Sequence, residues 1–470
     1  MLFRRLYHDR LAQAGYLIAC QATQEAIVVD PLRDPTPYLD AARQEGVRIT
    51  LVTETHIHAD FLSGASALAN ATGAELLLSG EGTGPLGYDR SAYPRARWLR
   101  DGDRLELGRV RLDILHVPGH TPEHLAFVVT DTATGEAPMG IVSGDFLFVG
   151  DVGRPDLLER AAGMQGTMAE SARQLFASLQ RLSMLPDYLQ VWPGHGAGSA
   201  CGKALGAVPQ STLGYERRTN WALGVSSESE FVTKVLAGQP EPPAYFARMK
   251  KLNATGVPTL SALREMHEAD LRRAIDAGGM AVDVRPPAEF AAGHLARSIN
   301  VPLGNSFLTW AGSVIPADRD VVLVASPAIR ADAGMAMHQL HLIGFGRVLG
   351  VLAPERLSTV ATEPLRTLPT VGASTLGRNA DSGLTVLDVR NRSEWDEGHI
   401  PGARHVPLAE LTARLDELRN GGPIAVHCQG GSRSAVAASV LAAAGFNDVT
   451  NVEGGYAAWV LAGNTPATDE

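Results

Sequence analysis

The sequence predicts an α/β protein built from three successive units. Short β-branched and apolar runs alternate with helical patterns over residues 1–250. After residue 260 one pattern occurs twice at a constant offset. A length of 470 residues, at roughly 150 per domain, also gives about three units. The predicted domains are 1–250, 265–360 and 370–470.

Taken in chain order, Tyr16–Cys20 and Glu25–Asp30 form an opening hairpin, and Arg48–Thr53 is a strand. The run that follows, Thr55-His56-Ile57-His58-Ala59-Asp60-Phe61, is the most informative in the chain. Two histidines and a carboxylate at H-x-H-x-D spacing converge only if the backbone turns sharply out of a strand. A two-metal site of this type wants a further histidine at position 61. An apolar ring cannot ligate, so Phe61 predicts a single ion. Downstream, His120 follows the strand Arg111–Val117, Asp145 follows Val142-Ser143-Gly144, and His195 lies in Pro193-Gly194-His195-Gly196. Strand ends followed by glycine turns are where a rigid sheet aims ligands. One such histidine is ordinarily structural, whereas four features in this order make a metal site.

Residues 241–260, with Pro242-Pro243 and Gly256-Val257-Pro258, read as a linker. The repeat begins beyond it. Val282-Asp283-Val284-Arg285 recurs as Leu387-Asp388-Val389-Arg390, Glu289–His294 as Glu394–His399, and Val301-Pro302-Leu303 as Val406-Pro407-Leu408. Two copies of one domain follow, separated by a proline-bearing spacer near 361–380.

The second copy carries a nucleophile. Cys428 ends the buried strand pattern Pro423–His427, and Gln429, Gly430, Gly431, Ser432 and Arg433 lead into an alanine-rich helix. A cysteine at such a turn sits among backbone N–H groups and a helix dipole, which favour a thiolate and an anion. Arg433 adds fixed positive charge. In the first copy, aligning Arg330 with Arg433 puts Ala325 at the cysteine position; shifting the gap moves that position by a residue or two, but the stretch holds no cysteine and both glycines are gone. That copy is predicted to be inert, a spacer or an oligomer surface, and homo-oligomerisation is expected. Ser326 has no evident base to activate it. Of the other thiols, Cys20 is expected in the core, while Cys201, close to His195, has two open readings: structural burial or a thiol relay facing the metal pocket.

Composition narrows the classes. The net charge of −10 disfavours nucleic acid, and no apolar run approaches the roughly 18 residues a span requires. The N-terminal residues Met1–His8 lack the apolar core of a secretory signal, and three cysteines make no disulfide framework. A reducing cytoplasm is the expected compartment.

The order H-x-H-x-D, G-H-T, G-D, G-H-G resembles the metallo-β-lactamase superfamily, and within it the persulfide dioxygenases. The repeat, with D-V-R, E-W-x-x-G-H-I-P-G-A, C-x-x-x-x-R and Glu453-Gly454-Gly455-Tyr456, resembles the rhodanese sulfurtransferases. The whole chain is similar to CstB-type persulfide dioxygenase–sulfurtransferase fusions. That resemblance implies an αβ/βα sandwich followed by two rhodanese-like domains. It implies mononuclear non-haem Fe(II) on His56, His120 and Asp145, a ligand set that leaves open positions. His58, Asp60 and His195 then orient ligands or water. Arg154, within Gly150–Asp156, is expected as a cation facing an anionic substrate. The implied reaction oxidises a persulfide of the glutathione, coenzyme A or bacillithiol type with O2 to sulfite. Cys428 then passes sulfur from a second persulfide to sulfite, giving thiosulfate. Arg217 and Arg218 are candidates for holding the carrier. The rivals are a zinc thioester hydrolase of the glyoxalase II kind and a non-catalytic sulfur relay.

Overall fold

A computed structural model describes all residues except 83, 162, 204, 259–265, 326–329, 379–382, 420 and 469–470. The chain divides into two compact units, Met1–Pro258 and Thr259–Glu470.

The first unit stacks two six-stranded sheets. One runs in sequence order through Leu2–His8, Gln13–Cys20, Glu25–Val29, Arg48–Thr53, Glu75–Ser79 and Arg97–Leu99. The other runs Ser211–Thr212, Gln190–Pro193, Gly140–Gly144, Leu125–Asp131, Val110–His116 and Arg104–Leu107. Strand periodicity explains the layering. Along Gln13–Cys20, residues Ala14, Tyr16, Ile18 and Cys20 enter the core between the sheets, while Leu17 and Ala19 face the helices outside. Leu125, Phe127 and Val129 alternate in the same way with Ala126 and Val128. Both faces of each central strand are therefore apolar, and helices cover the outer faces. Helices Thr36–Glu45 and Ala65–Thr72 lie on the first sheet, and Met168–Gln180 and Glu228–Leu236 on the second. The expected opening hairpin is present as Gln13–Cys20 with Glu25–Val29, with Leu2–His8 added at its edge.

The linker expected at 241–260 is shorter than the sequence suggested. Phe246–Thr255 is a helix of the first unit, and its buried Asn253 binds the loop that carries the histidines. A polar residue between two prolines and a glycine looks like linker until its three partners are seen.

The second unit holds two parallel sheets, one per repeat. Their orders are Ile299–Asn300, Met280–Asp283, Val321–Val324, Val348–Leu352, and Thr370–Gly372, Val449–Glu453, Ile424–His427, Thr385–Asp388, Arg404–His405. The expected spacer is thus partly structured, since Thr370–Gly372 pairs with Val449–Glu453. The copies share a frame as well as a pattern. Arg285 forks onto Asp283 and donates to Gly293 O, and Arg390 does the same with Asp388 and Gly398 O. Phe290 stacks on His294 at 3.8 Å, as Trp395 does on His399 at 3.6 Å. Asp283 pairs with Val324 in the ladder as Asp388 pairs with His427, which sets Ala325 opposite Cys428. Ser326 lies outside the described residues. Among the described residues, no helix is long and apolar enough to cross a membrane.

Candidate metal centre and cysteine loop

Both sheets of the first unit contribute to one buried cluster. His56 lies in the loop after Arg48–Thr53, His120 after Val110–His116, Asp145 after Gly140–Gly144 and His195 after Gln190–Pro193. Ligand atoms of His56, His120 and Asp145 all lie within 4.8 Å of one another. Asp145 Oδ2 is 3.9 Å from His56 Nε2 and 3.5 Å from His120 Nε2. The far ring nitrogens are occupied: His56 Nδ1 meets Thr55 Oγ1 at 2.9 Å, and His120 Nδ1 meets Arg154 O at 3.1 Å. The Nε2 atoms are therefore left to converge.

The backbone is shaped to allow this. Gly144 adopts φ 53°, and a Cβ there would stand 2.6 Å from Thr55 Oγ1. A Cβ on Gly153 would fall 1.8 Å from Asp145 O.

Electrostatics favour ligation. Burial, aided by His58, His124 and His120, holds His56 well below the ordinary histidine value, and burial with Lys250 brings His120 to about 3. Both rings are neutral, as ligands must be. Burial lifts the Asp145 carboxyl to about 6, with Asp60 adding to the rise. Both Asp145 oxygens are buried without a hydrogen-bond partner. An orphaned carboxylate beside two neutral imidazoles is costly alone and satisfied by a cation.

The three residues expected to orient this set behave differently from one another. His58 Nε2 is 3.1 Å from Asp30 Oδ1; burial opposes its charge, yet Asp30, Glu54 and Asp60 raise it to about 9. His58 is thus paired away, and the Phe61 ring lies 4.3 Å from it, fully buried. Asp60 and His195 instead keep orphaned atoms, and with Cys201 they form a second group whose ligand atoms lie within 4.8 Å. Burial first, then Asp60 and Asp145, raise the Cys201 thiol well above its usual value. Cys201 is buried and faces this pocket as a neutral thiol. Cys20 is a core residue, its Sγ accepting from Arg109 N at 3.3 Å.

Two expected cations are corrected. Arg154 is fully buried, and its guanidinium serves Asp156, Ala200 O and Pro240 O. It braces the loop rather than facing a substrate. Arg217 likewise binds Asp187, Leu182 O and Leu185 O, while Arg218 is exposed. The sequence reading also missed residues. Asp30 accepts from Thr55 N at 2.6 Å and from Thr55 Oγ1 at 2.9 Å. His124 stacks on His56 at 4.8 Å and accepts from Asp145 N. Asp30 directly follows the strand Glu25–Val29, the same kind of strand-end carboxylate that singled out Asp145 after Gly140–Gly144.

In the second unit, Cys428 follows the strand Ile424–His427 and precedes the helix Ser432–Ala443. Gly431 N donates to Cys428 Sγ at 3.1 Å, and Gln429, Gly430 and Ser432 are exposed around it. Tyr456 N and Ala457 N tie down the carbonyls of Cys428 and Gln429. Arg433 is not free: it makes a bidentate pair with Glu394 at 2.6 and 2.7 Å.

Family models match both units. The metallo-beta-lactamase superfamily model covers residues 9–195, and the rhodanese-like domain model covers 267–352 and 373–462. A crystal structure of a metallo-beta-lactamase from Staphylococcus aureus subsp. aureus COL is 38% identical, with TM-score 0.65, covering 75% of this chain and 98% of that one. Hydroxyacylglutathione hydrolase of Polaromonas sp. (strain JS666 / ATCC BAA-500) is 35% identical over 183 residues, 38% of this chain and 61% of that enzyme. Persulfide dioxygenase ETHE1, mitochondrial, from Bos taurus is 27% identical over 236 residues, 49% of this chain and 79% of that enzyme. The chain thus spans about three-fifths of the length of that hydrolase.

Proposed function

The chain belongs to the metallo-beta-lactamase superfamily and joins that domain to two rhodanese-like domains; from that premise we propose that it oxidises thiol persulfides and transfers sulfane sulfur. The observation that carries this reading is the pairing, in one chain, of a buried His56–His120–Asp145 set with the Cys428 loop. The first half of the reaction is RSSH + O2 + H2O → RSH + SO3²⁻ + 2H⁺.

His56, His120 and Asp145 would hold ferrous iron, and bound iron supplies the redox chemistry between O2 and sulfur. The rest falls to the protein. Thr55 and Arg154 O fix the two imidazoles. Phe61 occupies the place where a further ligand would stand. A cleft of about 1160 Å³ lies beside this site, lined by Arg90, Arg100, Lys250 and Lys251 among others. Lys250 and Ala247 also line the small cavity that reaches His120. That continuity supports the cleft as the seat of an anionic carrier of the glutathione, coenzyme A or bacillithiol kind.

At Cys428 the thiolate attacks the outer sulfur of a second RSSH. The RS–S bond breaks, RSH leaves, and an enzyme persulfide remains. Sulfite attacks that sulfur, the Cys428 S–S bond breaks, and thiosulfate departs with the thiolate restored.

A second reading is a zinc thioester hydrolase, favoured by the similarity to hydroxyacylglutathione hydrolases and by the Asp60–His195–Cys201 group. One experiment separates them: oxygen uptake by iron-loaded protein given glutathione or coenzyme A persulfide, with sulfite and thiosulfate quantified for wild type and Cys428→Ser. The dioxygenase reading expects uptake in both, thiosulfate from wild type and sulfite from the variant. No uptake with any persulfide sinks it and sends the search to thioesters with zinc.

A further inference from the structure

Arginines around a sulfurtransferase cysteine serve to attract anions only while they are uncompensated. In the cysteine-bearing repeat none of the described ones between 385 and 468 is. Arg390, Arg392, Arg404, Arg414, Arg419 and Arg433 each pair with a carboxylate. The same stretch has no lysine, and its nine Asp and Glu outnumber its six arginines.

At the loop itself the compensation is close. Arg433 is gripped through both terminal nitrogens by Glu394. Glu394 also accepts from Asn391 N at 3.1 Å, so a helix cap fixes the carboxylate in place. Partial burial works against its charge, but Arg433 holds its carboxyl below the ordinary range. Arg390 forks onto Asp388 and lies 3.9 Å over the Tyr456 ring. Its Nη1 reaches only the Gln429 amide oxygen, at 3.4 Å. The loop glycine, Gly431, runs beside the backbone of the exposed Glu453. What remains for a substrate is the cup of backbone N–H groups, with both neighbouring guanidinium groups already paired to carboxylates and so not available to balance the second charge of a dianion.

Resting on the sulfur-transfer reading above, we propose that Glu394 sets the donor specificity of Cys428: by neutralising Arg433 it makes the site a taker of organic persulfides and a poor taker of thiosulfate. The two half-reactions explain why this matters. Loading runs Cys428–S⁻ + RSSH → Cys428–S–S⁻ + RSH, and the reacting end of RSSH brings at most one negative charge. Unloading runs Cys428–S–S⁻ + SO3²⁻ → Cys428–S⁻ + S2O3²⁻, and its reverse needs a dianion to dwell beside the thiolate. A neutralised rim lets thiosulfate leave and disfavours its return. The same rim binds sulfite weakly, so the acceptor must be supplied at high local concentration, which a tethered source of sulfite provides.

The test compares the sulfur gained by Cys428, read as the mass of the intact protein, and the steady-state constants for the two donors. Full-length wild type is expected to load from glutathione persulfide at far lower concentration than from thiosulfate. Glu394→Gln removes the compensating charge but keeps the cap, because glutamine serves equally at that position. One freed positive charge about 6 Å from a dianion in a solvent-like medium is worth about tenfold. The variant should therefore show KM values about tenfold lower for thiosulfate and sulfite, while glutathione persulfide, with at most one negative charge at its reacting end, should shift by about threefold at most. Asp396→Asn, which removes an exposed charge paired with Arg392, should move neither. Equal loading of wild type by both donors overturns this proposal alone, as does a thiosulfate KM that Glu394→Gln leaves in place. Loading by neither donor overturns the sulfur-transfer reading together with it.

Discussion

Asn253 offers a sharp test of how the metal loop is held. Its side chain is buried; Oδ1 accepts from Ser63 N at 2.9 Å, and Nδ2 donates to His58 O and Phe61 O, both at 2.8 Å. One amide thus clamps both ends of the segment that carries Asp60. Asn253→Ala deletes three hydrogen bonds and strands three buried backbone groups. At about 1–2 kcal/mol for each, the loss is about 3–6 kcal/mol. For a unit of this size that corresponds to roughly 10 °C in the midpoint of its thermal transition. Calorimetry of the full chain should show that drop in one transition, and the slackened loop should lose metal to a chelator about tenfold more readily. Asn253→Asp is the informative partner. It keeps shape and the acceptor but sets a negative charge against two carbonyl oxygens, so it should be at least as damaging as alanine. A midpoint shift under about 2 °C for Asn253→Ala, or a benign Asn253→Asp, would refute the clamp.

Phe61→His should raise bound metal from about one to about two ions per chain, measured by elemental analysis, because Asp60 and His195 already hold orphaned atoms nearby; an unchanged ratio refutes the ring as the block. Gly455 sits at φ 52° where a Cβ would stand 2.2 Å from Cys428 O, so Gly455→Ala should abolish sulfur transfer while oxygen uptake continues. Equal loss of both activities would contradict that separation. Because the folded carboxyl of Glu394 lies below the ordinary range, its pairing stabilises above that range and fades as pH falls through the folded value. The stability gap between wild type and Glu394→Gln should accordingly close on acidification, and a gap that stays constant argues against the pair. His120→Ala should empty the metal site, by elemental analysis, with sulfur loading of Cys428 retained.

What the sequence disclosed were local patterns. A ligand at a strand end and a cysteine before a glycine turn are set by neighbours within a few residues. The convergence of His56, His120 and Asp145 and the exposed cup at Cys428 follow from those patterns. The direction taken by a long side chain does not. Arg154 turns to carbonyls at Ala200 and Pro240, and Arg433 turns to a carboxylate at Glu394. Neither partner is marked in the linear text, so both arginines look available there. Asn253 was hidden for the same reason, since its three partners lie far back in the chain. The absence of a cysteine from the first repeat was legible, and the ladder register then identified Ala325 as the counterpart of Cys428.

The metal ligands hang from opposite halves of the sandwich, His56 from the first sheet and His120 and Asp145 from the second. An ion held by them closes a loop of about 90 residues in the folded chain only, because the site that binds it is lost on unfolding. Binding free energy at such a staple is also folding free energy. The lifetime of the protein in a cell is then tied to the supply of its metal: scarcity would thin the pool of folded molecules before it starved the survivors of activity.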